Sequence, residues 1–561
     1  MKAAECTAVS ARERTVALIL LGAATLLRVP YIVHYRFNTD EAQHLHVVWG
    51  WTRGLLQYRD FSDNHPPLFH LLMAPLLALL GERPDALTLM RFAMVPLALL
   101  AIGLTYFVGA RLYGSRVAIW AAVLLALHYE FFLKSIEFRT DNLWTVGWLA
   151  TLAVIVSGPL RIGRTVLAGA ALGTNLCVSQ KTALMAAALA GAAALVAALS
   201  PEFRRALRWP RIVRLAGAGA AGFLLPPLVV VGFFTLKGAF GALASGVFAQ
   251  NLLPGLGAWS ETWRRLLLPA GVVLAIWYAV PRLRSAGADR TMVRRALIVL
   301  TAVIYVTCLE SVWPLVTGQD YLPVFPLAAI LAVVGLDRWE RRASGTAGAV
   351  AAHNVAPKVV LIALLAVESS IIVLKGPVWR DETAAQTALV SDVLRLTGRD
   401  EPVVDTKGET LFRTRPFLPV LETITVARLR RGLIPDTLAE DTVRARCYVA
   451  VQDSPRFPAT GRAFLNENFV SVGSLRVAGR FLPAATPLAS FDIAIPGPYA
   501  VVTPTGAAAG ALDGTPYSGP RPLAAGTHTF APASGSRPLA VIWGRASERG
   551  FSPFREMRDP S

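Results

Sequence analysis

Long apolar stretches alternate with short polar ones over the first two thirds of the chain. Hydrophobic runs fall at about 15–33, 66–80, 92–110, 117–133, 142–157, 165–179, 183–199, 213–236, 266–281, 296–313, 321–336 and 357–375. A bilayer core needs about 20 apolar residues in helical form, so most of these runs predict membrane-spanning helices. The shortest, 66–80, opens with Pro66-Pro67 and contains Pro75. It predicts a re-entrant or surface segment rather than a span.

The stretch from Asn38 to Pro67 is too polar to cross and too apolar for a free loop. It predicts a helix at the membrane surface, with Asn38 or Thr39 at its start and Asp40 and Glu41 in its first turn, where the helix dipole favours acids. The loop 237–265 has a similar mixture of apolar and small polar residues and predicts a second surface helix.

Beyond about 376 the pattern changes. Leu389, Val393 and Leu396 share a helical face, and the segment to about 487 reads as an α/β or α+β unit. From 488 onward, short apolar strands alternate with turn residues, the pattern of a small β-sandwich. The expected organisation is a membrane-embedded region over 1–375, an α/β region over 376–487 and a β module over 488–561.

Composition sharpens this picture. The 561 residues are 54% hydrophobic and only 16% charged, with a mean hydropathy of +0.49. Soluble globular proteins carry about 25% charged residues, so this is the composition of a multi-pass membrane protein. The net charge of +18 does not indicate nucleic-acid binding, because the basic residues sit between hydrophobic runs. They cluster at Arg111 and Arg116, Arg161 and Arg164, Arg204 to Arg214, Arg282 to Arg295, and Arg338 to Arg342. Positively charged loops stay cytoplasmic. All five clusters do so if the N-terminus is inside and 66–80 does not cross, which leaves about eleven spans and an outer C-terminus. The basic N-terminal segment reads as a retained first span rather than a cleaved signal. Of four cysteines, Cys6, Cys177, Cys308 and Cys447, one lies in the polar C-terminal third, so no disulfide framework is expected there.

The predicted topology collects the candidate chemistry on the outer face. Asp40 and Glu41 are carboxylates suited to taking a proton from a hydroxyl. His65, held by Pro66-Pro67, and Lys181, alone between two apolar runs, are cationic or hydrogen-bonding groups suited to a phosphate. Arg139 and Asp141 open a span, and ionisable residues at membrane depth are functional candidates. Gln319-Asp320-Tyr321, followed by Pro323, opens another. Each also has a structural reading: helix start, proline stop, interfacial ion pair, snorkelling lysine or aromatic belt. His44 and His46 form an H-x-H pair, but residues two apart on a helix do not face each other, so metal binding there is not favoured.

The order of a first span, Asp40-Glu41, an amphipathic stretch with Tyr58 to Phe61, and then His65-Pro66-Pro67-Leu68 resembles the glycosyltransferase-C superfamily. Within it the chain is most similar to the protein O-mannosyltransferase-like group, which includes lipid A aminoarabinose transferases and rhizobial lipopolysaccharide galacturonosyltransferases. Asp40, Glu41, His65, Asp141, Lys181 and Tyr321-Leu322-Pro323 match that group's motif positions, and the resemblance covers about 15–375. It implies transfer of a sugar from a polyprenyl-phosphate sugar to an envelope acceptor, lipopolysaccharide, another glycan or protein, at the periplasmic face of the inner membrane. Asp40 would be the general base, with Glu41 and Asp141 as further catalytic candidates. His65, Arg139, Lys181 and Tyr321 would hold the donor phosphate, with Arg53 and Arg59 in reserve. No cofactor is implied, and a divalent metal is possible but not favoured. Two other classes fit the composition: a lipid or solute transporter, which would want ionisable residues near mid-span and repeated halves, and an inactive relative acting as a scaffold.

Overall fold

The computed structural model describes residues 9–200, 209–256, 261–285, 289–345, 352–483, 487–533 and 538–554. Cys6, the arginines at 204, 205 and 208, and part of the 237–265 loop lie outside them.

Every hydrophobic run forms helix. Among the described residues, seven helical stretches are long and apolar enough to cross a bilayer: Ala11–His34, Ala86–Tyr113, Thr182–Leu199, Trp209–Leu236, Leu267–Arg284, Arg290–Val312 and Pro357–Lys375. Leu68–Leu80, Ser115–Leu127 and Thr140–Val156 are shorter apolar helices. The chain is a multi-pass membrane protein. The other four expected spans also form helix: Ser115–Leu127, Thr140–Val156 and Ile162–Leu176 are shorter, and Phe325–Gly345 ends in a charged stretch. The 117–133 run divides at His128, which leaves the helical conformation, and a new helix Tyr129–Lys134 begins with Tyr129 N donating to the Glu368 carboxylate at 2.9 Å. At about 1.5 Å per residue, the 13-residue Leu68–Leu80 helix is too short to cross a core of about 30 Å. The 237–265 loop contains a short helix, Phe240–Val247, with Leu243 and Val247 buried and Phe240 exposed.

The chain divides into two compact units. The first comprises residues 1–36, 64–72 and 88–381. Its helices expose large apolar side chains, among them Leu26, Leu224, Leu225, Val229, Leu236 and Leu374. Such a surface suits lipid rather than water. Polar groups are buried within it. Arg91 closes the end of the first helix by donating to the carbonyls of Tyr35 at 2.7 Å and Arg36 at 2.8 Å.

The second unit comprises residues 37–63, 73–87 and 382–561. It holds the helix Thr39–Thr52 and two antiparallel sheets. The strands are β1 (Val449–Val451), β2 (Phe469–Val472), β3 (Leu475–Leu482), β4 (Ala489–Ile493), β5 (Gly497–Thr503), β6 (Gly506–Ala507), β7 (Gly510–Leu512), β8 (Thr515–Tyr517), β9 (Arg521–Leu523), β10 (Gly526–Pro532) and β11 (Leu539–Trp543). The larger sheet runs β1-β3-β11-β5-β6, with β2 also on β3 and β9 also on β5. The smaller runs β4-β10-β7-β8.

Alternation of side chains gives the large sheet two buried faces. Val501 and Val541 share one core with Phe491, Leu512 and Phe530 of the small sheet. Ala540, Ile542 and Val502 share another with Val393 and Leu396 of the helix Ala384–Leu396. β11 lies between β3 and β5, so the strands before and after residue 487 form one sheet. Gly479 permits that pairing: a Cβ there would stand 2.3 Å from the Val541 carbonyl oxygen.

Candidate functional site

The residues expected to carry chemistry fall into two groups, one in each unit. His65, Arg139, Asp141, Lys181 and Tyr321 belong to the helical unit; Asp40 and Glu41 belong to the unit with the sheets.

In the helical unit, Arg139 is the extended residue that precedes helix Thr140–Val156, and Asp141 lies in its first turn. The helix dipole favours an acid there. Arg139 Nε donates to Asp141 Oδ2 at 3.0 Å and lies 3.9 Å from Glu137 Oε2. Glu137 in turn pairs with Lys134 Nζ at 2.7 Å. Lys181 immediately precedes helix Thr182–Leu199. Its ammonium pairs with Asp320 and lies 5.7 Å from the ring centres of both Trp144 and Trp313.

Asp320 is held in turn. Its Oδ2 accepts from Thr317 N at 2.8 Å and Thr317 Oγ1 at 3.1 Å, and its backbone carbonyl accepts from the Tyr305 hydroxyl at 3.1 Å. The two ion pairs are linked. Gln319, with its amide oxygen turned to the guanidinium, accepts from Arg139 Nη1 at 3.0 Å and Nη2 at 3.1 Å. Lys181 and His65 are also near enough to Asp141 to interact with it electrostatically. Arg139, Asp141 and Asp320 are buried. Burying a lone charge is prohibitive, and pairing makes it tolerable.

Tyr321 is half-buried at the end of the 3-10 turn Gly318–Tyr321. The side chain of that turn that reaches Lys181 is its neighbour Asp320. Tyr321, the candidate phosphate ligand of this turn, does not share that contact, because a turn directs consecutive side chains differently.

In the other unit, Asn38 caps helix Thr39–Thr52. Glu41 completes the capping box, its Oε1 accepting from Asn38 N at 2.8 Å. Glu41 is fully buried in that role. Asp40 is not used in this way: its backbone N–H bonds to Asn38 Oδ1 at 3.0 Å, while its carboxylate forms an ion pair with Lys407. This helix, expected at the membrane surface, is buried within the protein from Glu41 to Gly50.

Several of its polar side chains, and those packed beside them, bond within this unit. Gln43 and Gln57 donate to the two oxygens of Asp63 at 2.9 and 2.7 Å. Trp49 and Arg413 donate to the two oxygens of Glu82 at 3.2 and 3.0 Å. His46 Nδ1 donates to the Leu411 carbonyl at 3.0 Å. Burial pushes the His46 imidazole down to about 4, with the nearby Arg415 guanidinium acting in the same direction, so it is neutral at pH 7. Arg53 bonds Asp400 and Arg59 bonds its neighbour Asp60, both at the surface. Among the described residues no three His, Cys, Asp or Glu side chains are grouped as metal ligands.

Comparison with known proteins agrees with this architecture. The sequence profile of the dolichyl-phosphate-mannose-protein mannosyltransferase family matches residues 64–229. No curated protein matches the chain significantly in sequence. Among solved structures, ArnT from Cupriavidus metallidurans in the apo state superposes with a TM-score of 0.54 at 17% identity, covering 83% of this chain and 97% of that one. The same protein bound to undecaprenyl phosphate gives 0.52 at 14% identity, covering 83% and 96%. The oligosaccharyltransferase AglB from Archaeoglobus fulgidus, solved with an inhibitory peptide and a dolichol-phosphate, gives 0.46 at 12% identity, covering 84% and 75%. At such identities the likeness is one of fold.

Proposed function

For a chain with the glycosyltransferase-C fold, we propose the activity of a membrane glycosyltransferase that takes its sugar from a polyprenyl-phosphate carrier. The observation that carries this reading is the buried set of paired charges in the helical unit: Arg139 with Asp141, and Lys181 with Asp320. Ionisable groups in an apolar helical body are costly, and a functional role is their default explanation. The ArnT structure with undecaprenyl phosphate supports a lipid phosphate as the ligand class.

In the proposed reaction the acceptor's O–H gives its proton to the Asp40 carboxylate. Its oxygen forms a bond to the anomeric carbon, and the bond from that carbon to the phosphate oxygen breaks. The electron pair leaves on the phosphate, which is stable as an anion and needs no acid. Lys181, Arg139 and His65 stabilise that developing charge, with Tyr321 as a further donor. Asp141 orients Arg139. Glu41 is assigned to holding the start of the helix that carries Asp40. No metal is required by this scheme.

The acceptor is a hydroxyl of an envelope glycan, lipid or protein. The proposed setting is the inner membrane, with the N-terminus cytoplasmic. Residues 1–375 would form the membrane-embedded catalytic region, and 376–487 with 488–561 a periplasmic one.

The test is a radiolabelled transfer assay in membranes containing the full chain, with a panel of polyprenyl-phosphate sugars. Transfer from one of them that Asp40→Asn abolishes supports the reading. Absence of transfer from the whole panel, or an Asp40→Asn protein that transfers normally, overturns it.

A further inference from the structure

Between Val404 and Phe412 the chain makes a loop built around its own two acids. Asp405 Oδ1 accepts from Gly408 N at 3.1 Å and from Arg415 Nη1 at 3.2 Å. Its Oδ2 accepts from Thr410 N at 3.3 Å and from the Thr410 hydroxyl at 2.6 Å. The Glu409 carboxylate accepts from Thr406 N at 3.1 Å, from Lys407 N at 2.7 Å and from the Thr406 hydroxyl. The backbone on both sides of Lys407, and its own N–H, are therefore held by hydrogen bonds to charged groups, the stronger kind.

The loop is also fastened to the helix that carries Asp40. Gly408 has φ +88° and its α-carbon faces His46 so closely that a Cβ would lie 2.7 Å from the His46 Cβ. Three residues on, the Leu411 carbonyl takes the hydrogen bond from His46 Nδ1. From this base the Lys407 side chain, 9% exposed, reaches Asp40, 25% exposed. Helix capping does not explain the contact, since Asn38 and Glu41 already supply the cap.

We propose that Lys407 is a positioning residue for Asp40: the rigid 405–410 loop holds an ammonium against the carboxylate, aims it and keeps it ionised. This rests on the reading of Asp40 as the base. An adjacent opposite charge lowers a carboxyl pKa by about 1–3 units. The other titratable groups of this unit grouped here are Glu41 and His46 on the helix, and Asp405, Glu409 and Arg415 in and behind the loop. Asp405 and Arg415 pair with each other. Burial beside Asp405 raises the Glu409 pKa. Lys407 is thus the loop cation directed at Asp40. Ionised Asp40 is the form that accepts a proton, so its reactivity should fall off in acid at a pH that Lys407 sets.

The experiment measures Asp40 directly, without a substrate. The purified full chain in detergent is treated with a water-soluble carbodiimide and glycine ethyl ester across a pH series. This chemistry modifies protonated carboxyls, and the Asp40 peptide is quantified by mass spectrometry. In Lys407→Met the labelling midpoint should rise by about 1 pH unit or more relative to the native chain. Lys407→Arg should restore it. If Lys407→Met does not fold, Lys407→Gln, which keeps a polar side chain and removes the charge, takes its place. An unchanged midpoint in the folded charge-free variant overturns the proposal. The acid limb of the transfer rate should move in the same direction as the labelling midpoint. The two readings fail separately. Normal transfer by Asp40→Asn refutes the base assignment whatever the labelling does. Loss of transfer in Asp40→Asn with no labelling shift in Lys407→Met refutes the positioning role alone.

Discussion

The two groups of charge solve the same problem under different conditions. In the helical unit Arg139, Asp141 and Asp320 are buried among apolar helices, and Lys181 is enclosed by two tryptophans. There each charge of these pairs offsets the cost of burying the other, so removing one partner is expensive. In the sheet-containing unit Asp40 keeps a quarter of its side chain exposed, and its partner comes from a loop that organises itself. Charge in the first group is held by the cost of breaking pairs, and in the second by the rigidity of a backbone.

The sharpest way to break this contrast is to remove the proposed base. Asp40→Asn should lower transfer by about 10²- to 10⁴-fold, the usual contribution of a general base, with a smaller loss of stability in detergent than breaking a pair in the helical unit. A loss as large would instead place Asp40 with those pairs.

Lys181→Met should cost about 3–5 kcal/mol of stability, because it leaves Asp320 buried without its countercharge. Lys181→Met combined with Asp320→Asn should regain most of that stability and none of the transfer. Chemical unfolding and the transfer assay together read both. A neutral Lys181→Met would remove the distinction between the two groups.

Acid should act on the second unit through His46. Its folded pKa of about 4 lies below the unfolded value near 6.5, so the unfolded chain binds the proton first. The stability it contributes is present above about pH 6.5 and is lost as pH falls towards 4, by up to about 3 kcal/mol. Unfolding measured across that window should be flatter in His46→Gln, the difference between the two curves isolating the imidazole.

The smallest effect is expected at Arg53. Its partner Asp400 is 90% exposed, and such pairs contribute about 0–1 kcal/mol. Arg53→Ala should leave stability and transfer within error of the native chain, which would also remove it as a reserve phosphate ligand.

Much of this was legible in the residues. Apolar runs became helices, and Asn38 or Thr39 followed by two acids announced a helix start, because both are local patterns. In Gln319-Asp320-Tyr321 the sequence does not say which side chain meets Lys181; in the structure it is Asp320. Asp40 and Glu41 could not be told apart in sequence, and the structure separates their partners: one pairs with a lysine, the other closes a cap. Lys407 escaped notice because its segment looked like an ordinary strand and turn. Threonines following or flanking Asp405 and Glu409 were the available sign of a self-bonded loop.

Partition between lipid and water acts on each segment separately, so the linear order of apolar and polar residues was enough to specify a multi-pass helical body with a soluble, strand-rich C-terminal region. Pairing of charges is different. Lys181 meets Asp320 across 139 positions, and Lys407 meets Asp40 across 367. No periodicity connects such residues. Only the folded chain brings them within reach, where each charge offsets part of the other's desolvation cost.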